Sequence, residues 1–110
     1  MDILMRKLED AVIFDLGGRF VFSEAATFKQ AVEDLEETSC AHLILNLENI
    51  SFLDSSALAM LHFAHKKLVS MGGKVSIVNP QPHSHDMLNL ANIPSIIPIH
   101  GLEEEALLVG

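Results

Sequence analysis

An apolar run near the middle of the chain is the feature that most restricts the fold. Within Ala41 to Asp54, the residues Leu43, Ile44, Leu45 and Leu47 are nearly continuous instead of alternating with polar residues. A strand that is apolar on both faces must be covered on both sides, and parallel sheets with helices on each face provide that cover. The run therefore predicts an α/β fold in which helices cover both faces of this strand.

The segments around this run alternate between the period of a strand and the period of a helix. The first two strands are predicted to form a hairpin that turns at Glu9-Asp10, and Gly17-Gly18 is expected to interrupt the chain after the second strand. Pro98 predicts that the last strand lies at a sheet edge. The predicted strands are 2–9, 11–18, a strand within 41–54, 74–80 and 95–100, and the predicted helices are 23–37, 56–71, 82–91 and 102–109. This order indicates an α/β layer with parallel neighbours joined by right-handed crossovers.

Two of the predicted helices have an apolar face that is expected to pack on the sheet. Ser23 is the expected N-cap of the first helix. The apolar stripe of that helix is Ala25, Phe28, Val32 and Leu35. The apolar face of the second helix is Leu58, Leu61, His65 and Leu68, with Ala57 and Ala64 beside it. Met60 and Phe63 in the same helix are either core residues or part of a surface that a partner protein contacts.

The charge balance excludes several classes of function. Seven Lys and Arg residues against fifteen Asp and Glu residues give a formal charge of −8, which disfavours binding to nucleic acid and to anionic membranes. An acidic surface suits a basic protein partner or serves solubility. No apolar stretch approaches the roughly 18 to 20 residues that a spanning helix needs. Met1 to Glu9 has no apolar core typical of a signal peptide, so we expect a cytoplasmic protein.

The residue types that carry catalysis or bind metals form no recognisable motif. Cys40 is the only cysteine, which excludes an internal disulfide and a metal site built from several cysteines. Among the six histidines, His62 and His65 are three residues apart, and "HSHD" at 83–86 groups two more, but a metal site needs three or four converging donors. Both glycine pairs lack the spacing of a nucleotide-binding loop, and Ser55 is not in a G-x-S-x-G elbow. We therefore expect no enzyme, no cofactor and no metal.

The triplet Asp54-Ser55-Ser56 lies between the central strand and the second predicted helix. Asp and Ser cap the unsatisfied N–H groups of a helix start, which is worth roughly 1 kcal/mol. The triplet also follows a parallel-type strand, where α/β proteins place functional loops. A phosphate on a serine there would be tolerated, because the free N–H groups and the helix dipole favour an anion. The residues alone leave both roles open.

The stretch "HLILNLENISFLDSSALAML", 42–61, closely resembles the signature of STAS domains, as found in bacterial anti-sigma-factor antagonists. The segments "GGKVSIVNP" and "MLNLANIPSIIPI" resemble the strand and the terminal helix-strand segment that follow in that family. The segment "GGRFVFSEAATFKQAVEDL" resembles the family's strand end and first helix. The resemblance covers nearly the whole chain. It implies one STAS domain over 1–110, with an α/β fold, a mixed, mostly parallel sheet and about four helices.

The resemblance also implies a function, because antagonists of this family are switched by phosphorylation. Carried over, Ser55 is the phosphoacceptor, Asp54 orients the site, Ser56 caps the helix or contacts the partner, and Ala57 lies in the contact region. The implied partner is an anti-sigma factor that is also a serine kinase, and a serine phosphatase restores the unphosphorylated form. The protein is then a substrate and switch without catalytic activity, and a monomer or weak dimer.

Two positions depart from the family pattern. Ala57 stands where a glycine is common, and Val21 stands where antagonists commonly carry an acidic residue near the phosphorylation site. These departures leave an alternative open, in which the protein is a STAS subunit that regulates something other than sigma factors and is not phosphorylated. A lipid-transport complex and a stress-signalling scaffold are examples that the resemblance allows. An enzyme with an unrecognised site is the remaining alternative.

Overall fold

A five-stranded mixed sheet forms the centre of the molecule in the computed structural model, which describes residues 1–108. The strands, in chain order and also in spatial order, are β1 (Asp2–Leu8), β2 (Ala11–Phe20), β3 (His42–Leu53), β4 (Lys74–Val78) and β5 (Ile99–His100). β1 pairs with β2 in antiparallel fashion, and the remaining neighbours are parallel. The predicted mixed, mostly parallel sheet is confirmed, as is the hairpin turn at Glu9-Asp10.

Within the described residues, four α-helices connect or follow the strands, as predicted. They are α1 (Ala25–Glu33), α2 (Ser55–Ser70), α3 (Pro82–Leu90) and α4 (Glu103–Leu108). Short 3-10 turns occupy Phe22–Glu24, Asp34–Glu37 and Ile93–Ser95. Within residues 1–108, no helix has the length and apolar character needed to cross a membrane. The final predicted helix included Val109, which lies outside the described residues.

The helices cover the two faces of the sheet unequally. A large core lies between one face and α1, α2 and α3, and it includes Phe14, Phe28, Leu45 and Leu61. A smaller cluster under α4 consists of Ile13, Ile44, Val78 and Ala106. Adjacent residues of β3 therefore enter different cores, since side chains alternate between the faces of a strand. The apolar run in β3 is buried on both faces, which confirms the prediction.

The glycine pair Gly17-Gly18 does not interrupt the chain, so that prediction was wrong. β2 continues through it to Phe20, because β3 extends beyond it and offers backbone groups for pairing. The register shifts on either side of the pair, and Gly18 has a φ of 98°, which a residue with a side chain rarely adopts. The glycines therefore permit an irregularity within the strand instead of ending it.

The first predicted helix is divided into three parts, and its predicted cap was wrong. Ser23 lies inside the 3-10 turn Phe22–Glu24, and α1 begins after Glu24 without a side-chain hydrogen bond at its N-cap. Phe28, Val32 and Leu35 of the predicted stripe are buried, and Ala25 is half-buried. The packing face was thus predicted correctly, while the exact start of the helix was decided by how the chain leaves β2.

The last strand is shorter than predicted. Only Ile99–His100 pairs with β4, because Ile93–Ser95 forms a 3-10 turn and Pro98 has no N–H group to donate. The carbonyl oxygen of Pro98 accepts a hydrogen bond from the Ile77 N–H at 2.9 Å. β5 is one of the two edge strands of the described sheet, as Pro98 predicted.

Because β2 and β3 are parallel, the connections that follow them begin at the same end of the sheet, beyond the carboxyl ends of the strands. Phe20 and Leu53, the last residues of these strands, are paired. The segment from β2 to α1 and the residue between β3 and α2 therefore begin side by side. Functional loops in α/β proteins lie at this end of the sheet.

Candidate functional site

Asp54 is the N-cap of α2. Its backbone is extended, and its Oδ1 accepts a hydrogen bond from the Ala57 N–H at 3.1 Å. This bond satisfies one of the N–H groups that a helix start leaves without a partner. The capping role that the resemblance gave as one alternative for Ser56 therefore belongs to Asp54.

The second carboxylate oxygen of Asp54 holds a distant part of the chain. Oδ2 accepts a hydrogen bond from the Phe22 N–H at 3.1 Å. The Asp54 N–H in turn donates to the carbonyl oxygen of Phe20 at 3.2 Å. Asp54 thus connects the start of α2 to the segment that follows β2, 32 positions earlier in the chain. The orienting role of Asp54 toward a modified Ser55 stays a prediction.

Ser55 is the first residue of α2 and is exposed, while Ser56 is half-buried. In the part of the chain that the structure describes, neither hydroxyl group takes part in a hydrogen bond. The fold therefore does not depend on a hydrogen bond from the Ser55 hydroxyl group. The N–H groups of the first turn point toward the same end of α2, as at every helix start.

Exposed aromatic residues flank this end of α2, and the sequence reasoning did not identify them. Phe22 is 77 % exposed, although its backbone is held by Asp54. Phe52 is 37 % exposed, and its ring lies 5.1 Å from the Arg19 guanidinium carbon and 5.8 Å from the His83 ring centre. The available signal was that both phenylalanines fall outside the predicted apolar faces.

Three residues of α2 that were considered for partner contact are turned toward the core. Ala57 is fully buried, so its side chain is not available to a partner protein. Met60 and Phe63 are partly buried and pack against the main core. Phe63 also lies under the Lys29 ammonium group, 5.4 Å from its ring centre. The interpretation of Met60 and Phe63 as core residues is the one that fits this packing.

Val21 lies at the start of the segment that Asp54 holds. It is half-buried, its backbone is extended, and its carbonyl oxygen accepts a hydrogen bond from the Glu24 N–H at 2.8 Å. The site therefore carries an aliphatic residue followed by an exposed aromatic residue at the position where the resemblance implies a carboxylate.

The histidines and the cysteine are the residues that metal binding or nucleophilic chemistry would use. Across residues 1–108, no three His, Cys, Asp or Glu side chains come together in a way that would hold a metal ion. Burial raises the pKa of the Cys40 thiol, which opposes formation of a nucleophilic thiolate. His42 is buried, its Nε2 lies 2.7 Å from the Ser76 hydroxyl oxygen, and burial lowers its pKa.

Comparison with known proteins gives consistent results for sequence and fold. The family model for the STAS domain matches residues 2–106. An anti-sigma F factor antagonist of Paenibacillus polymyxa is 31 % identical over 78 residues, which cover 71 % of this chain and 67 % of that protein. An anti-sigma factor antagonist from Mycobacterium paratuberculosis has a TM-score of 0.88 at 20 % identity, with 98 % of this chain and 92 % of that chain covered.

The anti-sigma factor antagonist SpoIIAA, a Bacillus cell fate determinant, has been solved in two states. Its unphosphorylated form has a TM-score of 0.83 at 18 % identity and covers 96 % of this chain and 93 % of its own. Its phosphorylated form has a TM-score of 0.75 at 18 % identity and covers 96 % of each chain. These structures share the fold, and the family model covers nearly all described residues. The chain belongs to the STAS domain family.

Proposed function

We propose that the protein is an anti-sigma factor antagonist that binds an anti-sigma factor and is released from it when Ser55 is phosphorylated. The observation that carries the proposal is the exposed, unbonded Ser55 hydroxyl at the start of α2, beside a carboxylate that fixes the local backbone. The similarity to the Paenibacillus polymyxa antagonist supports the choice of partner class. The protein acts in this proposal as a substrate and switch, and the anti-sigma factor supplies the kinase activity.

The position of Ser55 suits a switch because phosphate there changes the surface more than the fold. A phosphate group adds about −1.5 to −2 charges at pH 7. The N–H groups and dipole at the start of α2 favour such an anion, which limits the cost to the helix. The neighbouring Asp54 carboxylate opposes it. Phosphorylation therefore places a new charge at the centre of the contact surface while the buried core stays intact, which favours release of a docked partner. A serine phosphatase then returns the protein to its binding form.

The proposal is tested by incubating the protein with the anti-sigma serine kinase of the same organism and ATP. Mass spectrometry of proteolytic fragments is expected to place one phosphate on Ser55. The Ser55→Ala variant should accept none, and the matched control Ser56→Ala should be phosphorylated normally. Phosphate on another residue, or none with a kinase that modifies its own known substrate, would refute the role of Ser55.

Binding measurements connect this modification to partner choice. By calorimetry, Ser55→Ala is expected to bind the anti-sigma factor as tightly as the wild type, and Ser55→Asp at least tenfold more weakly, because a fixed negative charge replaces the hydroxyl.

A second function is favoured by the residues next to the site. Val21 and the exposed Phe22 form an apolar segment where antagonists commonly have a carboxylate. Such a surface also fits a STAS subunit that regulates a system other than a sigma factor and is not phosphorylated. Failure of the wild type, Ser55→Ala and Ser55→Asp alike to bind the anti-sigma factor would favour this second function over the first.

A further inference from the structure

Phe22 combines high exposure with a fixed backbone. Its residue surface is 77 % exposed, yet it begins a 3-10 turn in which the Glu24 N–H donates to the Val21 carbonyl oxygen at 2.8 Å. The Phe22 N–H is held by Asp54 Oδ2 at 3.1 Å. An aromatic ring presented from an ordered turn is well suited to enter a pocket on another protein, because little freedom is lost on binding.

Asp54 divides its two carboxylate oxygens between two elements. Oδ1 caps α2 through the Ala57 N–H, and Oδ2 holds the Phe22 N–H, each at 3.1 Å. The residue that joins these two contacts is directly followed by Ser55. A chemical change at Ser55 therefore takes place next to the carboxylate that holds the Phe22 N–H group.

We propose that Phe22 is an apolar anchor of the docking surface around Ser55, and that Asp54 couples its position to the phosphorylation state of Ser55. The inference rests on the proposed function, because it concerns the same surface and the same modification. The occupant is an anti-sigma factor that offers an apolar pocket for the phenyl ring beside the place where it contacts Ser55. At position 21 this chain offers the partner Val21 and not the acidic residue that the resemblance implies, so the contact there is apolar.

The coupling follows from competition at the start of α2. A phosphate on Ser55 and the Asp54 carboxylate are both anions, and both are acceptors for the N–H groups of the first turn. Because phosphate carries more charge, it takes these donors and repels the carboxylate. Asp54 then releases the Phe22 N–H, which is close to solvent and exchanges its acceptor for water. The phenyl ring leaves its bound position, so phosphorylation weakens docking through Phe22 as well as by its own charge.

Hydrogen exchange in the isolated protein tests the coupling without any partner. In Asp54→Asn, the side-chain carbonyl oxygen is expected to keep the cap on α2, because asparagine is an equally good N-cap. The amide nitrogen that replaces the second oxygen cannot accept from Phe22. NMR-detected exchange of the Phe22 amide should rise about tenfold in Asp54→Asn and in the Ser55-phosphorylated protein, while Ala57 exchange changes less than twofold in Asp54→Asn. Unchanged Phe22 exchange in the Ser55-phosphorylated protein would overturn the coupling, and unchanged exchange in Asp54→Asn would overturn the role of the Asp54 contact in it.

Binding tests the anchor. Both proteins are compared in the unphosphorylated form. Phe22→Ala should bind the anti-sigma factor of the same organism at least tenfold more weakly than the wild type does. The matched control is Leu90→Ala, since Leu90 is 86 % exposed and lies at the opposite end of α3 from His83, the residue whose ring lies beside Phe52. Its affinity should stay within twofold. Circular dichroism and thermal unfolding check that both variants are folded.

A double-mutant cycle distinguishes the two claims from the proposed function. If Asp54 acts through Phe22, then Asp54→Asn should weaken binding in the wild type and have little further effect in Phe22→Ala. Equal affinity of Phe22→Ala and wild type would overturn the anchor while leaving the proposed function intact. A wild-type protein that does not bind the anti-sigma factor at all would overturn the proposed function, and with it the anchor.

Discussion

Replacing Asp54 by alanine should destabilise the fold, whereas alanine at Ser55 or Ser56 should not. Asp54 caps α2 through Ala57, and loss of an N-cap costs about 1 kcal/mol. Its charge at the helix start contributes about another 0.5 kcal/mol. The Phe22 contact adds little, because that N–H is near solvent and can bond to water. The free energy of unfolding should therefore fall by about 1.5 kcal/mol in Asp54→Ala and by less than about 0.5 kcal/mol in each serine variant.

Urea unfolding followed by circular dichroism measures these differences, provided that the dependence on urea concentration is the same in all variants. At about 4 °C for each kcal/mol in a domain of this size, the Tm of Asp54→Ala should drop by about 6 °C. Asp54→Asn should retain most of the stability, since asparagine preserves the cap. A larger loss in Ser56→Ala than in Asp54→Ala would refute the assignment of the cap to Asp54.

Two further predictions concern the side of the sheet that α4 covers. Burial lowers the pKa of His42 in the folded protein below the value of about 6.5 that it has in the unfolded chain. Below about pH 6.5 the unfolded chain therefore binds more protons than the folded protein, and the free energy of unfolding should fall as the pH decreases. His42→Gln should remove this part of the pH dependence, as measured by urea unfolding at several pH values. Arg6 donates to Asp15 and Glu103 and is partly exposed, so Arg6→Ala should cost about 1 kcal/mol at pH 7 and speed hydrogen exchange in α4. Because hydrogen bonding to Arg6 lowers the pKa of Asp15, that cost should diminish as the pH falls and Asp15 is protonated. An equal cost at pH 7 and pH 3 would contradict the ion-pair explanation.

Most of the fold was predictable because it depends on local periodicity. The continuous apolar residues of β3 identified a strand with both faces covered, and both faces are buried. The stripe Phe28, Val32 and Leu35 identified the packing face of the first helix. The errors occurred where pairing with a distant segment of the chain overrode the preference of the local residues. Gly17-Gly18 was read as an interruption, but β3 extends past it and holds it in the sheet.

The candidate site was predictable only in part. The triplet and its position after β3 placed Ser55 at the start of a helix, and Ser55 is the first residue of α2. Which residue of the triplet caps the helix was not predictable, since Asp and Ser are similarly good N-caps. Geometry assigns the cap to Asp54, and it turns Ala57 into the core.

The sequence by itself determined the order of strands and helices, the layers they form and the helix start at which Ser55 lies, because these follow from the spacing of apolar residues and from residue types along one segment. The tertiary structure decided which distant segment meets that helix start. Phe22 and Asp54 are 32 positions apart, and they meet because β2 and β3 are parallel and end together at Phe20 and Leu53. Strand pairing of this kind depends on the register of the whole sheet, which no local pattern specifies.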